Sequence, residues 1–429
     1  MSWELLHGDC RALMAEMEGC SVDSVVTDPP YELTTARPGG RSPATQGKVM
    51  KGFMGMEWDG SGVAFDPATW RAVLDVLKPG GWLVAFSGAR TYHRMACAIE
   101  DAGFEIRDQI MWIYGSGFPK GGNRDGKGTC LKPAHEPIVL ARKPLIGSVT
   151  RNEAAFGTGA LNIDACRIHG EDAQGGAYTV RRLKPGATLE KTGGNWRPED
   201  GGVLYHGEMK AGRWPANIVH DGSDDVLAAF PDAPGQIADA KLTGERKTGR
   251  VYGDMGYPRG NEASARSANE GAVGFQMRPG ARRLDAGSAA RFFYCAKASK
   301  GDRDEGLDAF EPQTFIQFQT GNGESEAASS LSEGRDTQYR NTHPTVKPEA
   351  LMRWLVRLVT PEGGLVLDPF TGSGSTGKAA MLEARRFVGC ELTADYLPIA
   401  RARIAHAADR AAAIPPADPQ IDMFSTEAA

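Results

Sequence analysis

The stretch Ser24-Val25-Val26-Thr27-Asp28-Pro29-Pro30-Tyr31 predicts the end of a buried strand followed by a rigid turn. Val25 and Val26 are typical of a strand interior. The two prolines end the strand, because each fixes its own φ and lacks an N–H. In an open α/β sheet, ligands bind at the carboxyl ends of the strands. The stretch therefore predicts a carboxylate, an unpaired carbonyl group and an aromatic ring held together at a ligand-binding edge.

These three groups suit a planar ring that carries an exocyclic amine. Asp28 and the carbonyl group of Pro29 can each accept one N–H of the amine, so that the nitrogen lone pair points outward. Tyr31 can stack on the face of the ring, a contact worth about 1–3 kcal/mol per base. Taken alone, the stretch is equally compatible with an ordinary strand and turn in which Asp28 only caps the chain that follows.

Composition predicts a soluble globular protein of one elaborated domain or two, with 429 residues of which 41% are hydrophobic and 24% charged. The chain has no apolar run of 18 residues and no signal peptide, so we expect a cytoplasmic protein without membrane insertion. Seven scattered cysteines without a CxxC pair, and eight histidines without metal-ligand spacing, predict reduced thiols and no metal site. A net charge of −5 gives no global signal for nucleic acid, so a DNA-binding protein would need a local basic face.

Apolar periodicity in the first 143 residues predicts alternating strands and helices. The predicted strands are 3–9, 22–27, 82–86, 104–114 and 136–142, and helices are predicted near 10–17, 70–77 and 95–102. This order predicts a parallel sheet with one antiparallel hairpin. The glycine-rich segment 37–62 is interpreted as a mobile loop that closes over a bound base, or as a linker without a function.

The middle of the chain loses this periodicity and becomes basic. In 241–300 there are twelve Lys and Arg residues against five Asp and Glu. Such a segment favours contact with phosphates and readout of base edges from loops, although a solvated basic insertion has the same composition. The next strand is predicted at 291–295, and 315–340 is polar enough to be flexible.

The densest motifs lie near the end of the chain. Asn341-Thr342-His343-Pro344-Thr345-Val346-Lys347-Pro348 leads into an amphipathic helix, and the strand at 365–367 runs into Asp368-Pro369-Phe370-Thr371-Gly372-Ser373-Gly374. A strand, a glycine-rich turn and a helix allow a ligand to approach backbone N–H groups. The following strand ends in Glu391, which can accept hydrogen bonds from two ribose hydroxyls. The arrangement predicts a nucleoside ligand without phosphate, because the spacing of a P-loop is missing.

Together, Asp28-Pro29-Pro30-Tyr31 and Asp368-Pro369-Phe370-x-Gly372-Ser373-Gly374 resemble the motifs of the DNA amino-methyltransferases. The catalytic motif precedes the cofactor motif, as in the β group of that family. The resemblance covers roughly 1–143 and 291–406. It implies a Rossmann-like fold: a mostly parallel seven-stranded sheet with an antiparallel hairpin, and cofactor and base sites side by side at the strand ends.

The resemblance also implies roles for individual residues. S-Adenosylmethionine would be held at its methionine end by Asp368, Pro369, Phe370, Gly372, Ser373 and Gly374, supported by His343, Thr345 and Lys347. Glu391 would bind the ribose, and Asp9 would lie near the adenine of the cofactor. The catalytic residues Asp28, Pro29, Pro30 and Tyr31 would hold a target base flipped out of duplex DNA.

An aspartate at the first position of the catalytic motif goes mostly with adenine in this family, so the resemblance implies transfer to the N6 amine of adenine. The alternative with the same fold is an N4-cytosine methyltransferase. More distant alternatives are an RNA or protein-glutamine methyltransferase, and a DNA-binding protein that has lost catalysis.

The resemblance divides the chain into a catalytic half at 1–143, an inserted target-recognition region at 144–290, a cofactor-binding half at 291–408 and a flexible tail at 409–429. The expected partner is double-stranded DNA in a bacterial or phage restriction-modification setting, close to the nucleoid, and members of the group often form homodimers. In the tail, Gln420-Ile421-Asp422-Met423-Phe424 resembles the short motif by which bacterial proteins bind the sliding clamp.

Overall fold

The structure, a computed structural model, describes residues 2–32, 59–115, 117, 125–128, 131–169, 176–182, 203–232, 287–297, 299, 301–314 and 338–413. Most of the segment 37–62, most of 315–340 and all of 420–424 lie outside the described residues. The chain divides into two units, of which the first comprises Met1–Cys166, Ala216–Val226 and Tyr294–Ala429.

Nine strands of the first unit form one sheet. The strands are β1 (Trp3–His7), β2 (Val22–Thr27), β3 (Leu77–Phe86), β4 (Glu105–Ile113), β5 (His135–Arg142), β8 (Ile218–His220), β9 (Tyr294–Cys295), β12 (Leu365–Asp368) and β13 (Arg386–Glu391). Their order in the sheet is β1-β13-β12-β2-β3-β5-β4-β8-β9. All neighbouring pairs are parallel except the two that involve β5, which runs opposite to β3 and β4. The amino-terminal end of β5 therefore lies at the same edge as the carboxyl ends of the parallel strands.

Helices cover both faces of this sheet. They are α1 (Cys10–Ala15), α2 (Pro67–Val76), α3 (Tyr92–Asp101), α4 (Val149–Phe156), α6 (Gly301–Asp304), α7 (Glu349–Val359), α8 (Ser375–Leu382) and α9 (Leu397–Ala413). Short 3-10 helices occur at Val63–Phe65, Asp164–Cys166 and Ala394–Tyr396. A small two-stranded sheet pairs β10 (Gln313–Thr314) with β11 (Gln338–Tyr339).

Successive residues of the central strands point to opposite faces, which gives the first unit two apolar layers. Val26 and Val84 pack with the buried face of α7, where Trp354 and Leu355 are almost fully buried. Their neighbours Val25 and Leu83 belong to the other layer, which α2 and α3 cover. The short continuous apolar runs in the sequence follow from this burial on both sides.

Capping residues fix where two helices near the sheet edge begin. The Asp9 carboxylate accepts hydrogen bonds from the N–H groups of Arg11 and Ala12, at 3.0 and 3.2 Å, and so caps α1. Asp66 caps α2 in the same way, with Pro67 at the first helical position. Strand β3 begins at Leu77, earlier than the predicted Trp82, because Leu77 already pairs with Val22 of β2, ahead of a register shift.

The second unit comprises Arg167–Pro215 and Leu227–Phe293. Its described part contains the antiparallel hairpin of β6 (Gly176–Arg182) and β7 (Val203–Met209), together with an isolated bridge between Ile168 and Arg213. A 3-10 helix spans Ala289–Phe292, and α5 (Asp224–Ala229) crosses the boundary between the units.

The predicted fold class, an α/β protein with a mostly parallel sheet and an antiparallel element, is confirmed. The sheet has nine strands rather than seven, since the short β8 and β9 extend it beyond β4. The strand predicted at 291–295 is a 3-10 helix followed by two strand residues. Within the described residues, no helix is long and apolar enough to span a bilayer.

Candidate active site

A cavity of about 360 Å³ opens at the edge of the sheet where the parallel strands end. Its wall includes every residue of the sequence-predicted site except Gly374: Asp9, Asp28, Pro29, Pro30, Tyr31, His343, Thr345, Lys347, Asp368, Pro369, Phe370, Gly372, Ser373 and Glu391. Gly374 adopts φ +83° and immediately precedes α8, so it completes the turn from behind the wall. The two motifs, more than 300 positions apart in the sequence, thus meet in one cavity.

At the end formed by β2, the Lys347 ammonium group is surrounded by acceptors. Its Nζ lies 2.8 Å from Asp28 Oδ2, 3.2 Å from Glu136 Oε2 and 3.0 Å from the Tyr31 hydroxyl oxygen. Burial by itself lowers the pKa of Lys347, but the carboxylates of Asp28 and Glu136 outweigh it and raise that pKa above its ordinary value. Lys347 is therefore protonated and bound on three sides.

Tyr31 is held by hydrogen bonds at its hydroxyl and at its backbone carbonyl. Its hydroxyl donates to Glu136 Oε2 at 3.0 Å, and its backbone carbonyl accepts from Thr91 Oγ1 at 2.8 Å. Burial, reinforced by the neighbouring carboxylates, raises the pKa of Tyr31 well above its usual range. The hydroxyl thus remains a neutral donor, and the ring has a set orientation in the cavity wall.

Asp28 has one carboxylate oxygen engaged and one open. Oδ2 faces Lys347. Among the residues that the structure describes, no group donates a hydrogen bond to Oδ1, although that atom is buried. An unpaired buried acceptor is costly unless a partner satisfies it. Asp28 lines the cavity, so a bound molecule whose donor reached Oδ1 would satisfy it.

Asp368 links the end of strand β2 to the glycine-rich turn. Its Oδ1 accepts from Thr27 Oγ1 at 2.6 Å and from the Phe370 N–H at 3.0 Å. Burial raises the pKa of Asp368 to about 6, and the hydrogen bonds from Thr27, Thr376 and Phe370 oppose that rise. At neutral pH the residue is a buried carboxylate at the base of the turn.

The turn itself requires glycine at Gly372. This residue has φ +52°, and a Cβ atom there would lie 2.7 Å from His343 Nε2. His343 in turn packs edge-on against Tyr396, with 4.6 Å between ring centroids. Burial lowers the pKa of His343 to about 4, so its ring is neutral at physiological pH. The absence of a side chain at Gly372 allows the His343 ring to pack directly against the turn.

Two arginines, the buried Arg403 and the half-buried Arg303, hold both segments. Arg403 donates from Nη1 to the Ser373 carbonyl oxygen and hydroxyl, at 2.5 and 2.9 Å. Arg303 donates to the carbonyl groups of Asn341, His343 and Pro344 at 3.1, 2.8 and 3.3 Å. Carbonyl groups that face away from the cavity are thereby satisfied, and the loop conformations are fixed.

Glu391 occupies the end of β13, as the sequence predicts. Its two carboxylate oxygens accept from the N–H groups of Gly372 and Thr393, each at 2.7 Å. Burial raises the pKa of Glu391, against the effect of these two N–H donors. The Thr393 side chain also donates to this carboxylate, which retains acceptor capacity for a ligand hydroxyl. Asp9 lies on the same wall as the cap of α1 and is more exposed.

Hydrogen bonds between backbone N–H groups and the carboxylates of Glu32 and Asp59 join the residues on either side of 33–58. The Glu32 N–H donates to Asp59 Oδ1 at 2.8 Å, and Glu32 Oε1 accepts from the Gly62 N–H at 2.7 Å. Glu32 has φ +54° and is almost fully buried. Burial raises its pKa to about 7, opposed by the Gly62 N–H. These contacts place Asp59 and Gly62 in the cavity wall beside Tyr31.

Sequence reasoning missed several residues of this site: Thr27, Glu32, Asp59, Glu136, Arg303 and Arg403. Glu136 carried a usable signal, because an acidic residue opens a buried strand and that strand is the antiparallel member of a hairpin. Its start must then lie at the ligand edge. Lys347, expected at the methionine end of the cofactor, lies in the cavity wall and contacts Asp28 and Glu136.

The fold and the cavity define a class of protein: an α/β protein with a mostly parallel sheet and a ligand cavity, lined by several carboxylates, at the ends of the strands. A sequence model of the DNA methylase family (N6_N4_Mtase) matches residues 22–402. The chain belongs to this family.

Individual relatives match over shorter stretches. The chain is 45% identical over 67 residues to the type II methyltransferase M2.DpnII of Streptococcus pneumoniae, which is 16% of this chain and 25% of that protein. It is 40% identical over 67 residues to the DNA adenine methyltransferase YhdJ of Escherichia coli K12, again 16% of this chain and 22% of the relative. The matched stretch thus spans about a quarter of the length of these relatives.

Among solved structures, the cytosine-N4-specific PvuII DNA methyltransferase aligns with a TM-score of 0.41 at 14% identity, covering 96% of this chain and 93% of that one. This similarity adds nothing to the family assignment.

Proposed function

We propose that this protein transfers a methyl group from S-adenosylmethionine to the N6 amine of adenine in duplex DNA. Membership of the DNA methylase family supports methyl transfer to DNA. The observation that carries the proposal is the buried Asp28 Oδ1, which accepts no hydrogen bond from the described residues and belongs to a residue of the cavity wall. The aspartate in the catalytic motif and the adenine methyltransferase YhdJ among the relatives support adenine.

The cavity residues fit the cofactor by their chemistry. S-Adenosylmethionine, when bound, supplies a methyl carbon that is electrophilic because it is attached to a sulfonium. Its positive groups suit a wall that contains Asp368, and its ribose hydroxyls suit the remaining acceptor capacity of Glu391. Gly372 and Ser373 allow close approach of the backbone at the turn. Asp9 lines the same cavity and would contact the nucleoside end.

Asp28 and Pro29 would hold the target amine. The amine donates one N–H to Asp28 Oδ1 and the other to the Pro29 carbonyl oxygen, which turns the nitrogen lone pair toward the methyl carbon. Tyr31 fixes the plane of the base by stacking. Pro30 keeps this segment rigid. The methyl group would come from the sulfonium of the bound cofactor, and the amine nitrogen between Asp28 and Pro29 would bear positive charge until it released a proton.

The protein thus contributes alignment and electrostatic support rather than a covalent intermediate. The target atom is enclosed in the duplex, so the base must leave the stack at a cost of a few kcal/mol. We propose the basic region 144–290, inserted between the halves 1–143 and 291–408, as the part that reads the DNA sequence.

Modification mapping tests the proposal. The protein is expressed in a methylation-free bacterial host, and the native DNA is sequenced for modified bases. We expect N6-methyladenine at one recurring short motif. Asp28→Ala should abolish the signal while cofactor affinity measured by calorimetry stays within about threefold. Asp75→Ala, at an exposed position of α2, is the matched control and should retain methylation.

Two other outcomes would contradict the proposal. N4-methylcytosine at the motif would assign the chain to the cytosine branch. No modified base, from a folded protein that binds cofactor, would show that the substrate is not DNA and that 144–290 was interpreted wrongly. Loss of cofactor affinity in Asp28→Ala would refute the separation between base and cofactor residues.

For assembly, we propose a cytoplasmic homodimer near the nucleoid, on the family resemblance. The segment 420–424 in the tail 409–429 is proposed to bind the sliding clamp. Deletion of 418–429 should then reduce capture on immobilised purified clamp. Equal capture of the full chain and the deletion variant would refute this contact.

A further inference from the structure

Glu136 makes two contacts in the cavity that determine the surroundings of Asp28. Its Oε2 accepts from the Tyr31 hydroxyl at 3.0 Å and lies 3.2 Å from Lys347 Nζ. Glu136 comes from β5, the antiparallel strand, whereas Asp28 follows β2 and Lys347 precedes α7. Three separate segments therefore converge on one small cluster, which we call the amine-end cluster: Asp28, Tyr31, Glu136 and Lys347.

The hydrogen bonds of this cluster leave one acceptor open. Lys347 has three N–H donors, and its three neighbours are Asp28 Oδ2, Glu136 Oε2 and the Tyr31 hydroxyl oxygen. The Tyr31 hydrogen is directed to Glu136. Within the described residues, Asp28 Oδ1 is then the buried oxygen of this cluster that no donor satisfies. Glu136 secures this arrangement because it holds both Lys347 and Tyr31.

The charges of the cluster do not cancel. Two carboxylates and one ammonium group leave a net charge of −1, in a region where the Lys347 side chain is 7% exposed. Without Glu136, the charges of Lys347 and Asp28 would balance and the net charge would be zero. Low exposure makes this difference large, because charges interact more strongly away from water.

We propose that Glu136 is a positioning residue that keeps the amine end of the cavity anionic. The inference rests on the proposed function, in which the amine nitrogen becomes positively charged as the methyl group arrives. Glu136 balances Lys347, so that Asp28 can stabilise the developing positive charge. Glu136 acts on the transition state through Asp28. Cofactor binding depends instead on the residues around Asp368, Gly372 and Glu391.

Glu136→Gln tests this inference, since it removes the charge and keeps the shape. The Glu136 side chain is 20% exposed, so the neutral amide is compatible with folding, which thermal melting checks. Single-turnover methylation of genomic DNA from a methylation-free host is measured at saturating cofactor. We expect the rate to fall by about tenfold or more, with cofactor and DNA affinities within about twofold of wild type.

Glu105→Gln is the matched control. Glu105 pairs with Arg142 at the opposite end of β5, at 2.7 Å, and it undergoes the same chemical change away from the cavity. This variant should keep the wild-type rate. An equal loss of methylation rate in Glu105→Gln and Glu136→Gln would overturn the inference, because it would show that both substitutions act by destabilising β5.

The double variant Lys347→Met/Glu136→Gln separates charge from structure. It removes one positive and one negative charge and restores the net charge of −1. If Glu136 acts by charge balance, the double variant at saturating cofactor is faster than Glu136→Gln alone. If Glu136 only supports the local structure, the double variant is slower still, and the inference is refuted.

A wild-type rate in Glu136→Gln would refute the inference and leave the proposed function intact. An inactive wild-type protein would instead refute the proposed function.

Discussion

Thr27→Val removes one buried hydrogen bond and very little volume. Thr27 Oγ1 donates to Asp368 Oδ1 at 2.6 Å, and neither residue is more than 2% exposed. Because burial raises the pKa of Asp368 to about 6, the acceptor is a carboxylate above that pH and a neutral acid below it. The cost of losing the donor should therefore depend on pH.

The magnitude follows from the charge of the acceptor. A hydrogen bond to a charged group contributes roughly 1.5–3 kcal/mol, and one between neutral groups roughly 0.5–1.5 kcal/mol. Thr27→Val should thus lower the free energy of unfolding by about 2–3 kcal/mol near pH 8 and by about 1 kcal/mol near pH 5. The pH dependence belongs to Asp368 and not to Thr27.

The sign follows from linkage. In the unfolded chain Asp368 has its ordinary pKa of 3.8, and in the folded protein that pKa is about 6. Its contribution to stability is fully present below the unfolded pKa and is lost as pH rises through about 6. That loss is about 3 kcal/mol. Thr27→Val removes a donor that favours the charged form, raises the folded pKa further and extends the loss to higher pH.

Urea unfolding followed by tryptophan fluorescence, at about pH 5 and about pH 8, measures the effect. Ser24→Ala is the control on the same strand. Ser24 Oγ lies 2.7 Å from Thr360 Oγ1 in an equally buried but neutral pair, so its cost should be the same at both pH values. An equal cost of Thr27→Val at the two pH values would refute the assignment of a buried carboxylate at Asp368.

Two further predictions concern the glycine-rich turn and the histidine beside it. Gly372→Ala should weaken cofactor binding by about tenfold or more and also lower stability, because its Cβ would meet His343 Nε2 at 2.7 Å. Gly363→Ala, with φ +66° and open space around the Cβ position, should cost only about 1–2 kcal/mol of backbone strain with unchanged affinity by calorimetry. If the two variants bound cofactor equally well, the close approach would not be needed for binding. Burial holds the pKa of His343 near 4, so the folded protein should lose about 3 kcal/mol of stability as pH falls from the unfolded value of 6.5 through about 4. Its ring resonances in an NMR titration should show this low midpoint, and a midpoint above pH 6 would contradict the buried, neutral ring.

The sequence by itself determined the strands and the two motifs. Apolar runs such as 82–86 predicted the central strands because residues buried on both faces of a sheet leave a continuous apolar signature. Asp28 and Asp368 were found because prolines and glycines after a strand mark a ligand edge. These signals are local, so a single chain without a structure is enough to reveal them.

Strand boundaries at glycine and proline were less certain from sequence. The strand predicted at 82–86 leaves out Pro79 and Gly81, yet they lie inside β3. Their neighbours in the sheet supply the hydrogen bonds, as in Lys143 N–H to the Gly81 carbonyl at 2.9 Å. Pairing with β5, which is about 60 residues further along the chain, overrides the preference of proline and glycine for turns. The sequence shows only that local preference.

Only the tertiary structure decided which charges meet at the amine end. Asp28, Glu136 and Lys347 come from segments more than 100 positions apart, and no spacing in the chain relates them. The reversal of β5 between β3 and β4 brings Glu136 to the ligand edge. The same long-range packing brings the Lys347 ammonium group to the Asp28 carboxylate. Electrostatics falls off with distance in space and not along the chain, so the role of each charge was fixed only when the sheet was assembled.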